Sequence, residues 1–225
     1  MTTTRICPGY YGKLPQRGDF IRHGLSNDFV TAWDDWLSNG LRHVREKLGD
    51  NWLSHYLHTP VWRYYIGRNV IDAKVHTGIW FPSMDKVGRY FPFTIDCALN
   101  HSLPNWFGNA DHEGYLAQLE KIGLITLDEA CEIEDMEEAL DSSCWPLEPE
   151  HAAKKQGLKY WQGPKQLSSV NLCKHLIDEY ESKQGQFSYW WCDTDEEHAQ
   201  FLFCHGMPSH SDFAQFMRLA ANIRQ

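Results

Sequence analysis

The chain has 225 residues, and its 10 Trp, 10 Tyr and 11 Phe supply enough apolar surface for one well-buried core. Its formal net charge of −9 argues against a nucleic-acid-binding protein, which needs a basic surface, and against a protein that binds an anionic membrane. No apolar run approaches the roughly 20 residues of a membrane-spanning helix, and the first residues lack the apolar core of a signal peptide. We therefore expect one cytoplasmic domain over residues 1–225, with no membrane insertion.

The seven cysteines are an odd number, and no two of them form a CxxC pair. This pattern favours reduced, buried thiols over a disulfide framework and agrees with a reducing compartment. The negative charge is uneven, because residues 126–225 carry 18 Asp and Glu against 8 Lys and Arg, whereas residues 1–125 are nearly neutral.

The chain begins with a predicted strand and a charged loop. Residues 7–20 contain a short aromatic run followed by a turn with glycine and proline. In this turn Arg17 and Asp19 flank Gly18. The simplest interpretation is a strand followed by a loop that its charges stabilise.

Two helices follow the loop. Ser26 can cap a helix that runs to about Leu48, in which apolar residues recur at helical spacing and form one broad aromatic face. A shorter helix is predicted over residues 52–58, and Pro60 ends it.

Three short apolar runs predict the strands of a sheet. Residues 61–66 are apolar on both faces of a strand, which indicates a central position. Residues 79–81 and 91–95 are rich in aromatic and β-branched residues, and each run is long enough for a strand. The rest of the chain is organised around these last two runs.

The connection between the last two runs, residues 82–89, is polar and stiff. It holds a proline, a glycine and three charged residues. A solvated hairpin tip rarely needs so much fixed backbone and opposite charge together, so we predict a rigid polar element on the surface of the sheet. Asp85 and Arg89 can form an ion pair that holds this element, shared with Arg17 and Asp19.

The second half of the chain begins with two predicted helices. One starts at Asp111, and a capping box formed by Thr126 and Glu129 starts another that reaches about Leu140. This second helix carries seven acidic residues and no basic one. They are Asp128, Glu129, Glu132, Glu134, Asp135, Glu137 and Glu138. Such a run forms either a solvated face or an acidic docking surface for a basic partner.

In the last part of the chain, from residue 141 onwards, some segments have a clear hydrophobic pattern and others do not. Residues 141–169 have little periodicity and several prolines and glycines, so we predict an insertion or a mobile segment there. A helix follows over about residues 170–183. Residues 187–192 and 200–204 predict a hairpin, and an apolar stripe after Pro208 predicts a final helix. The order of elements indicates an α/β single-domain layered sandwich with a mostly antiparallel (mixed) sheet and helices on both faces.

The motifs of common catalytic and cofactor sites do not occur in the sequence. It has no phosphate-binding glycine loop, no dinucleotide fingerprint, no serine nucleophile elbow and no clustered Cys/His metal pattern. Ser83 and Asp85 fit a hydrolase fragment, but no histidine base can be identified for them. We therefore expect no enzyme activity, no cofactor and no metal.

Five motifs stand out along the chain. They are GYYGKLPQRGDFIRHGL (Gly9–Leu25), WDDWL (Trp33–Leu37), PVWRYYI (Pro60–Ile66), PSMDKVGRYFPFTI (Pro82–Ile95) and YWW (Tyr189–Trp191). In this order they resemble the motifs of the TagF/ImpM family of type VI secretion-associated proteins. The first and the fourth are specific, because they combine rigid and charged residues that no fold requires by itself.

The resemblance implies a cytoplasmic accessory protein that holds the secretion apparatus inactive after translation. Members of the family are thought to act on a forkhead-associated scaffold protein of the secretion system. Some members carry a fused phosphatase domain, for which this chain has neither room nor motifs, so we expect the stand-alone form and regulation by binding.

We predict that the two distant charged loops meet in space and form a docking surface from six residues. They are Lys13, Arg17, Asp19, Ser83, Asp85 and Arg89. Two alternatives stay open, namely a hydrolase that uses the polar cleft from Ser83 to Arg89 and a structural subunit of the secretion apparatus.

Overall fold

A computed structural model describes residues 5–99, 110–146, 186–193 and 199–221. The helices are α1 (Asn27–Leu48), α2 (Trp52–Leu57), α3 (Ala110–Ile125), α4 (Ile133–Ser142) and α5 (Phe213–Ala221). The strands are β1 (Arg5–Ile6), β2 (Gly9–Gly12), β3 (Ile21–His23), β4 (Trp62–Ile66), β5 (Val75–Phe81), β6 (Phe93–Leu99), β7 (Trp145–Pro146), β8 (Phe187–Asp193) and β9 (Ala199–His205). They form an α/β fold in which helices cover both faces of a sheet, and this confirms the predicted fold class.

The main sheet has seven strands in the order β3-β2-β6-β5-β4-β8-β9, and every described pair of neighbours is antiparallel. The predicted hairpin of β8 and β9 forms, as does the pair of β5 and β6 around the polar connection. β4 lies between β5 and β8, which confirms its predicted central position and explains why its residues are largely apolar on both faces.

One face of the sheet packs against α1, α2 and α5. Ser26 caps α1 as predicted, since its hydroxyl accepts a hydrogen bond from a first-turn N–H at 3.2 Å. Trp33 and Trp36 of α1 are buried in this layer. Their indole N–H groups donate to the Thr94 hydroxyl and to the Pro208 carbonyl, each at 2.8 Å. The layer therefore buries these two large rings without leaving their donors unpaired.

The opposite face packs against α3 and α4. Arg63 of β4 lies on this face, 2.7 Å from Asp193 at the end of β8 and 2.7 Å from Glu120 of α3, with Glu113 at 3.9 Å. Burial by itself lowers the pKa of the Arg63 guanidinium, but the three carboxylates outweigh burial and raise the pKa. The ion pairs attach α3 to two neighbouring strands.

The acidic helix is shorter than the sequence predicts. Thr126 and Glu129 do not form a capping box, because the Thr126 hydroxyl donates to the Gly123 carbonyl at 2.5 Å. The Asp128 carboxylate accepts a backbone N–H two residues further on, at 2.9 Å. Residues 126–132 are therefore turns and irregular backbone, and α4 begins only after them. Short polar side chains satisfy nearby backbone groups in turns as readily as at a helix start, which explains the error.

Cys7 and Cys144 form a disulfide, so the prediction of reduced thiols without a disulfide is wrong for this pair. The short strands β1 and β7 pair with each other and bring the two residues to a Cα–Cα distance of 4.2 Å, although 137 positions separate them. The count and the local spacing of cysteines do not report a pairing of such long range. The cysteine pattern is consequently no argument for a reducing compartment. Among the other described cysteines, Cys97 and Cys192 are buried free thiols.

Some predictions fall on parts of the chain that the structure does not describe. The predicted helix over residues 170–183 lies outside the described residues, as does most of the predicted insertion at 141–169. Of the predicted insertion, the structure describes residues 141–146, which include the last residues of α4 and the strand β7. Within the described residues, no helix has the length and apolar character needed to span a membrane, and no group of three potential metal ligands lies close enough to hold an ion.

Candidate docking surface

Two loops and one turn meet at the same end of the sheet. The first loop, residues 13–20, joins β2 to β3, and the second loop, residues 82–92, joins β5 to β6. The turn, residues 126–132, joins α3 to α4. Gly12 at the end of β2 lies opposite Phe93 at the start of β6, so both loops leave the sheet at neighbouring positions. We call this end of the molecule the loop end.

Asp85 organises the second loop, since both of its carboxylate oxygens have two partners. Oδ1 accepts the N–H groups of Val87 at 3.1 Å and of Arg89 at 2.8 Å. Oδ2 lies 3.0 Å from the Lys13 ammonium and 2.7 Å from the Arg89 Nε. Burial alone would raise the pKa of Asp85, but the Arg89 N–H and the two cations lower it below its ordinary value. Asp85 is therefore ionised at neutral pH.

Backbone hydrogen bonds complete the second loop. The Gly88 N–H donates to the Asp85 carbonyl at 2.9 Å, and the Asp85 N–H donates to the Arg89 carbonyl at 3.1 Å. Gly88 has a φ of +81°, a conformation that residues with a side chain rarely adopt. The glycine in the motif PSMDKVGRYFP is therefore required by the turn itself.

The two loops contact each other directly, as the sequence predicts. The Lys86 N–H donates to the Arg17 carbonyl at 2.8 Å, and the Arg89 guanidinium donates to the Gly18 carbonyl. The Lys13 ammonium reaches from the first loop to the buried carboxylate of the second. Three contacts of different kinds therefore fix one loop against the other.

Gln16 attaches the turn to the first loop. Its side-chain amide donates to the Thr126 carbonyl at 2.8 Å and to the Asp128 carbonyl at 2.6 Å. Near the end of α3, Gly123 passes so close to the Phe81 ring that a Cβ atom would lie 2.7 Å from it. The end of α3 thus packs against the end of β5, and the loops and the turn form one continuous surface.

Ser83 lies beneath this surface. The Tyr56 hydroxyl of α2 donates to the Ser83 carbonyl at 2.7 Å and accepts the Ser83 N–H at 2.9 Å. The Ser83 hydroxyl is buried and has no hydrogen-bond partner among the residues that the structure describes. A serine nucleophile needs a base within hydrogen-bonding distance, and this part of the chain supplies none to Ser83.

Three of the six residues predicted for the docking surface are buried. Lys13, Ser83 and Asp85 are 6%, 6% and 2% exposed, respectively. They hold the loops from inside, because their polar groups face the protein and not the solvent. They do not themselves offer a surface to a partner.

The other three predicted residues, Arg17, Asp19 and Arg89, are exposed. The Arg17 side chain lies 3.7 Å from Glu134 of α4, and the Asp19 carboxylate accepts the N–H of the next residue at 2.8 Å. Neither side chain joins the charge cluster around Asp85. Of the exposed three, Arg89 is the residue whose side chain links the two loops.

Exposed apolar side chains gather at the loop end, and sequence reasoning missed them. Eight large apolar side chains are exposed among the described residues, and six of them lie on the two loops, in the last turn of α3 or in the turn that follows. They are Phe20, Met84, Val87, Leu124, Ile125 and Leu127. The sequence contains one signal of this exposed apolar surface, because Met84 and Val87 are apolar residues in an otherwise polar connection.

Both loops lie in a region that matches a known protein family. A family model described as "TagF N-terminal domain, Type VI secretion system-associated" matches residues 9–143, which is more than half of the chain. The chain belongs to the TagF family. The matched range contains both loops and the turn, and it confirms the family to which the motifs pointed.

A solved structure shares the fold of this chain. The crystal structure of PA0076 from Pseudomonas aeruginosa PAO1 is 33% identical in sequence, covers 93% of this chain and 93% of its own, and has a TM-score of 0.73. This TagF-family chain therefore shares its α/β fold with an experimentally solved protein over nearly the whole length. A search of curated proteins finds no match.

Proposed function

We propose that this chain is a cytoplasmic regulator that holds the type VI secretion apparatus inactive by binding a partner protein through the loop end. Membership of a type VI secretion-associated family supports a role in connection with this secretion system. The TagF/ImpM resemblance further suggests that the partner is a forkhead-associated scaffold protein of the same secretion system. The chain acts by binding and not by catalysis.

The observation that carries the proposal is the concentration of exposed apolar side chains at the loop end. Monomeric proteins rarely expose large apolar patches, and those that they do expose usually mark an interaction site. Here the charged residues Arg17, Lys86 and Arg89 lie on the same two loops and are exposed. An apolar centre with a polar rim is the usual arrangement of a protein–protein interface.

The loops are ordered before any partner arrives, which favours docking. Asp85 holds the second loop through four interactions, and Gln16 holds the first loop against the turn. Because this backbone is already fixed, binding loses less conformational entropy than it would with flexible loops. The buried charges therefore contribute to binding indirectly, by presenting the exposed residues in one geometry.

The first experiment replaces exposed apolar side chains and leaves Asp85 and its partners intact. The variant combines Met84→Gln with Val87→Asn and is expressed in a strain that lacks its own copy of the gene. We expect it to lose repression, measured as release of a type VI substrate into the medium, and to stop co-purifying with the scaffold protein. Its melting temperature should stay close to that of the wild type, because both side chains are exposed.

The matched control is Phe201→Asn. Phe201 is also exposed, but it lies on β9, at the edge of the sheet opposite β3. This variant should repress secretion and bind as the wild type does. Full repression by the Met84→Gln, Val87→Asn variant would refute the loop end as the docking surface.

Ser83→Ala separates docking from the hydrolase alternative. The Ser83 hydroxyl has no partner among the described residues, so its removal should leave both stability and repression unchanged. Loss of repression in a folded Ser83→Ala protein would instead indicate that the hydroxyl takes part in a reaction.

A further inference from the structure

The tip of the second loop places an apolar residue between two cations. Val87 is 69% exposed, more than any other large apolar side chain among the described residues. Lys86 precedes it and Arg89 follows two positions later, and both are exposed. The tip therefore offers apolar contact and positive charge at the same place.

Arg89 is held in one orientation while its side chain remains exposed. Nε donates to Asp85 at 2.7 Å, and Nη2 donates to the Gly18 carbonyl. The side chain is nevertheless 58% exposed. A guanidinium that is already oriented can donate to a carboxylate with little further loss of side-chain entropy. Arg89 is thus suited to receive an anionic group from a partner.

The two loops form a basic region on an acidic protein. Together they contain four cations and two anions, a formal charge of +2, whereas the whole chain has a net charge of −9. The cations are Lys13, Arg17, Lys86 and Arg89, and the anions are Asp19 and Asp85. Since Lys13 and Asp85 neutralise each other in the interior, the excess positive charge lies on exposed side chains.

The surface next to the loops has the opposite sign. The turn and the first residues of α4 carry exposed acidic side chains, among them Glu134, which lies 3.7 Å from Arg17. This pair marks the boundary between the basic loops and the acidic helix. An acidic partner surface is attracted to one side of the boundary and repelled from the other, so the charges also orient it.

Phe20 provides a second apolar contact, already fixed in place. Its ring lies 4.8 Å from the Phe91 ring and 5.5 Å from the Tyr11 ring, and the Lys13 ammonium lies 4.8 Å from its centre. Although these neighbours hold it, Phe20 remains exposed. The first loop therefore adds a rigid aromatic surface to the apolar tip of the second.

We propose that the partner presents an acidic surface with an apolar side chain at its centre. The inference rests on the proposed function and names the chemistry of the partner. Partner carboxylates accept hydrogen bonds from Arg89 and pair with Lys86. The apolar side chain packs against Val87 and Phe20.

The test reverses one charge at the tip. Lys86→Glu changes a side chain that is exposed, while the cross-loop hydrogen bond uses only the Lys86 backbone. We expect the variant to lose repression in the deletion strain and to bind the purified forkhead-associated scaffold protein about tenfold more weakly at low salt. The difference should shrink at high salt, because salt screens exposed charges.

Two further variants make the test specific for the sign of the charge. Arg42→Glu makes the same change of net charge on an exposed residue of α1 and should leave binding and repression unchanged. Asp19→Asn removes an exposed anion from the loops but keeps an acceptor for the neighbouring N–H, so it should strengthen binding. Weaker binding by Asp19→Asn would overturn the inference in favour of a basic partner.

The repression assay separates this inference from the proposed function, whatever protein the partner is. If the Met84→Gln, Val87→Asn variant loses repression but Lys86→Glu keeps it, the loop end is a docking surface and the acidic partner is wrong. If both variants keep repression, the proposed function and the inference fail together. Loss of repression by both, with Arg42→Glu unaffected, supports both.

Discussion

Asp85 is the counterion of a buried ammonium group. Lys13 is as buried as a core residue, and Asp85 lies 3.0 Å from its Nζ. We expect Asp85→Asn to lower the free energy of unfolding by about 3 kcal/mol, because removal of one partner leaves the other charge buried and uncompensated. Urea unfolding at neutral pH measures this difference.

The control for this prediction is Asp19→Asn, which makes the same Asp-to-Asn substitution in the first loop. Asp19 is exposed and has no cationic partner among the described residues, so its replacement should change stability by less than about 0.5 kcal/mol. The pKa of Asp85 is lowered in the folded protein. Its contribution is therefore present above the ordinary Asp pKa and lost in stronger acid, where wild type and Asp85→Asn should converge. Equal stability of the two proteins at neutral pH would contradict the prediction.

At the scale of elements, a buried polar network joins three neighbouring strands. His76 of β5 places Nδ1 2.8 Å from Asp96 of β6 and Nε2 3.1 Å from Asp72, which precedes β5. The Tyr64 hydroxyl of β4 donates to Asp96 at 3.0 Å. Burial lowers the pKa of His76, but Asp96 and then Asp72 outweigh burial and raise the pKa above its usual value.

The network predicts a pH-dependent stability. Because the pKa of His76 is raised on folding, protonation stabilises the native state fully below the unfolded pKa of about 6.5 and loses this effect as the pH rises through the folded pKa. The stability difference between wild type and His76→Gln should therefore be largest near pH 6 and smaller near pH 9. Urea unfolding of both proteins across this range measures it. A difference that does not vary with pH would show that folding leaves the pKa of His76 unchanged and would contradict the prediction.

The sequence predicted the elements whose signals are local. α1 has an N-cap serine and a long aromatic stripe, and β8 and β9 are apolar runs that a polar stretch separates, so both were predictable. The predicted start of the acidic helix was wrong, because Thr126 makes a hydrogen bond within a turn although the sequence fits a capping box equally well. β1 and β7 were missed, since each has two residues and pairs with a strand far away in the chain.

At the scale of the whole molecule, the meeting of the two loops was predictable and the roles of their residues were not. Glycine, proline and opposite charges in two motifs indicated rigid loops that contact each other. Whether Lys13 is buried or Val87 exposed depends on how the sheet, α2 and the turn surround the loops, and no local pattern reports this. The contact of Gln16 with the turn spans more than 100 positions and left no signal in the sequence.

The Cys7–Cys144 disulfide predicts a stability that depends on redox conditions. It closes a loop of 137 positions, and long loops gain the most from a cross-link because the unfolded chain loses more freedom. We expect reduction, or Cys7→Ser, to lower the free energy of unfolding by about 3–5 kcal/mol. Thermal unfolding with and without reductant measures this effect.

Cys131→Ser is the control for this experiment, because Cys131 is a free, partly exposed thiol. It should melt at the wild-type temperature and keep its response to reductant. Identical melting of oxidised and reduced wild type would contradict the stabilising role of the disulfide.

The same bond turns the chain between Cys7 and Cys144 into a covalent ring that contains both loops and the turn. A protease that nicks this ring once leaves two fragments that migrate together in non-reducing electrophoresis and separate only after a thiol is added. The pieces of a nicked loop end therefore stay tethered at high local concentration for as long as the disulfide remains oxidised.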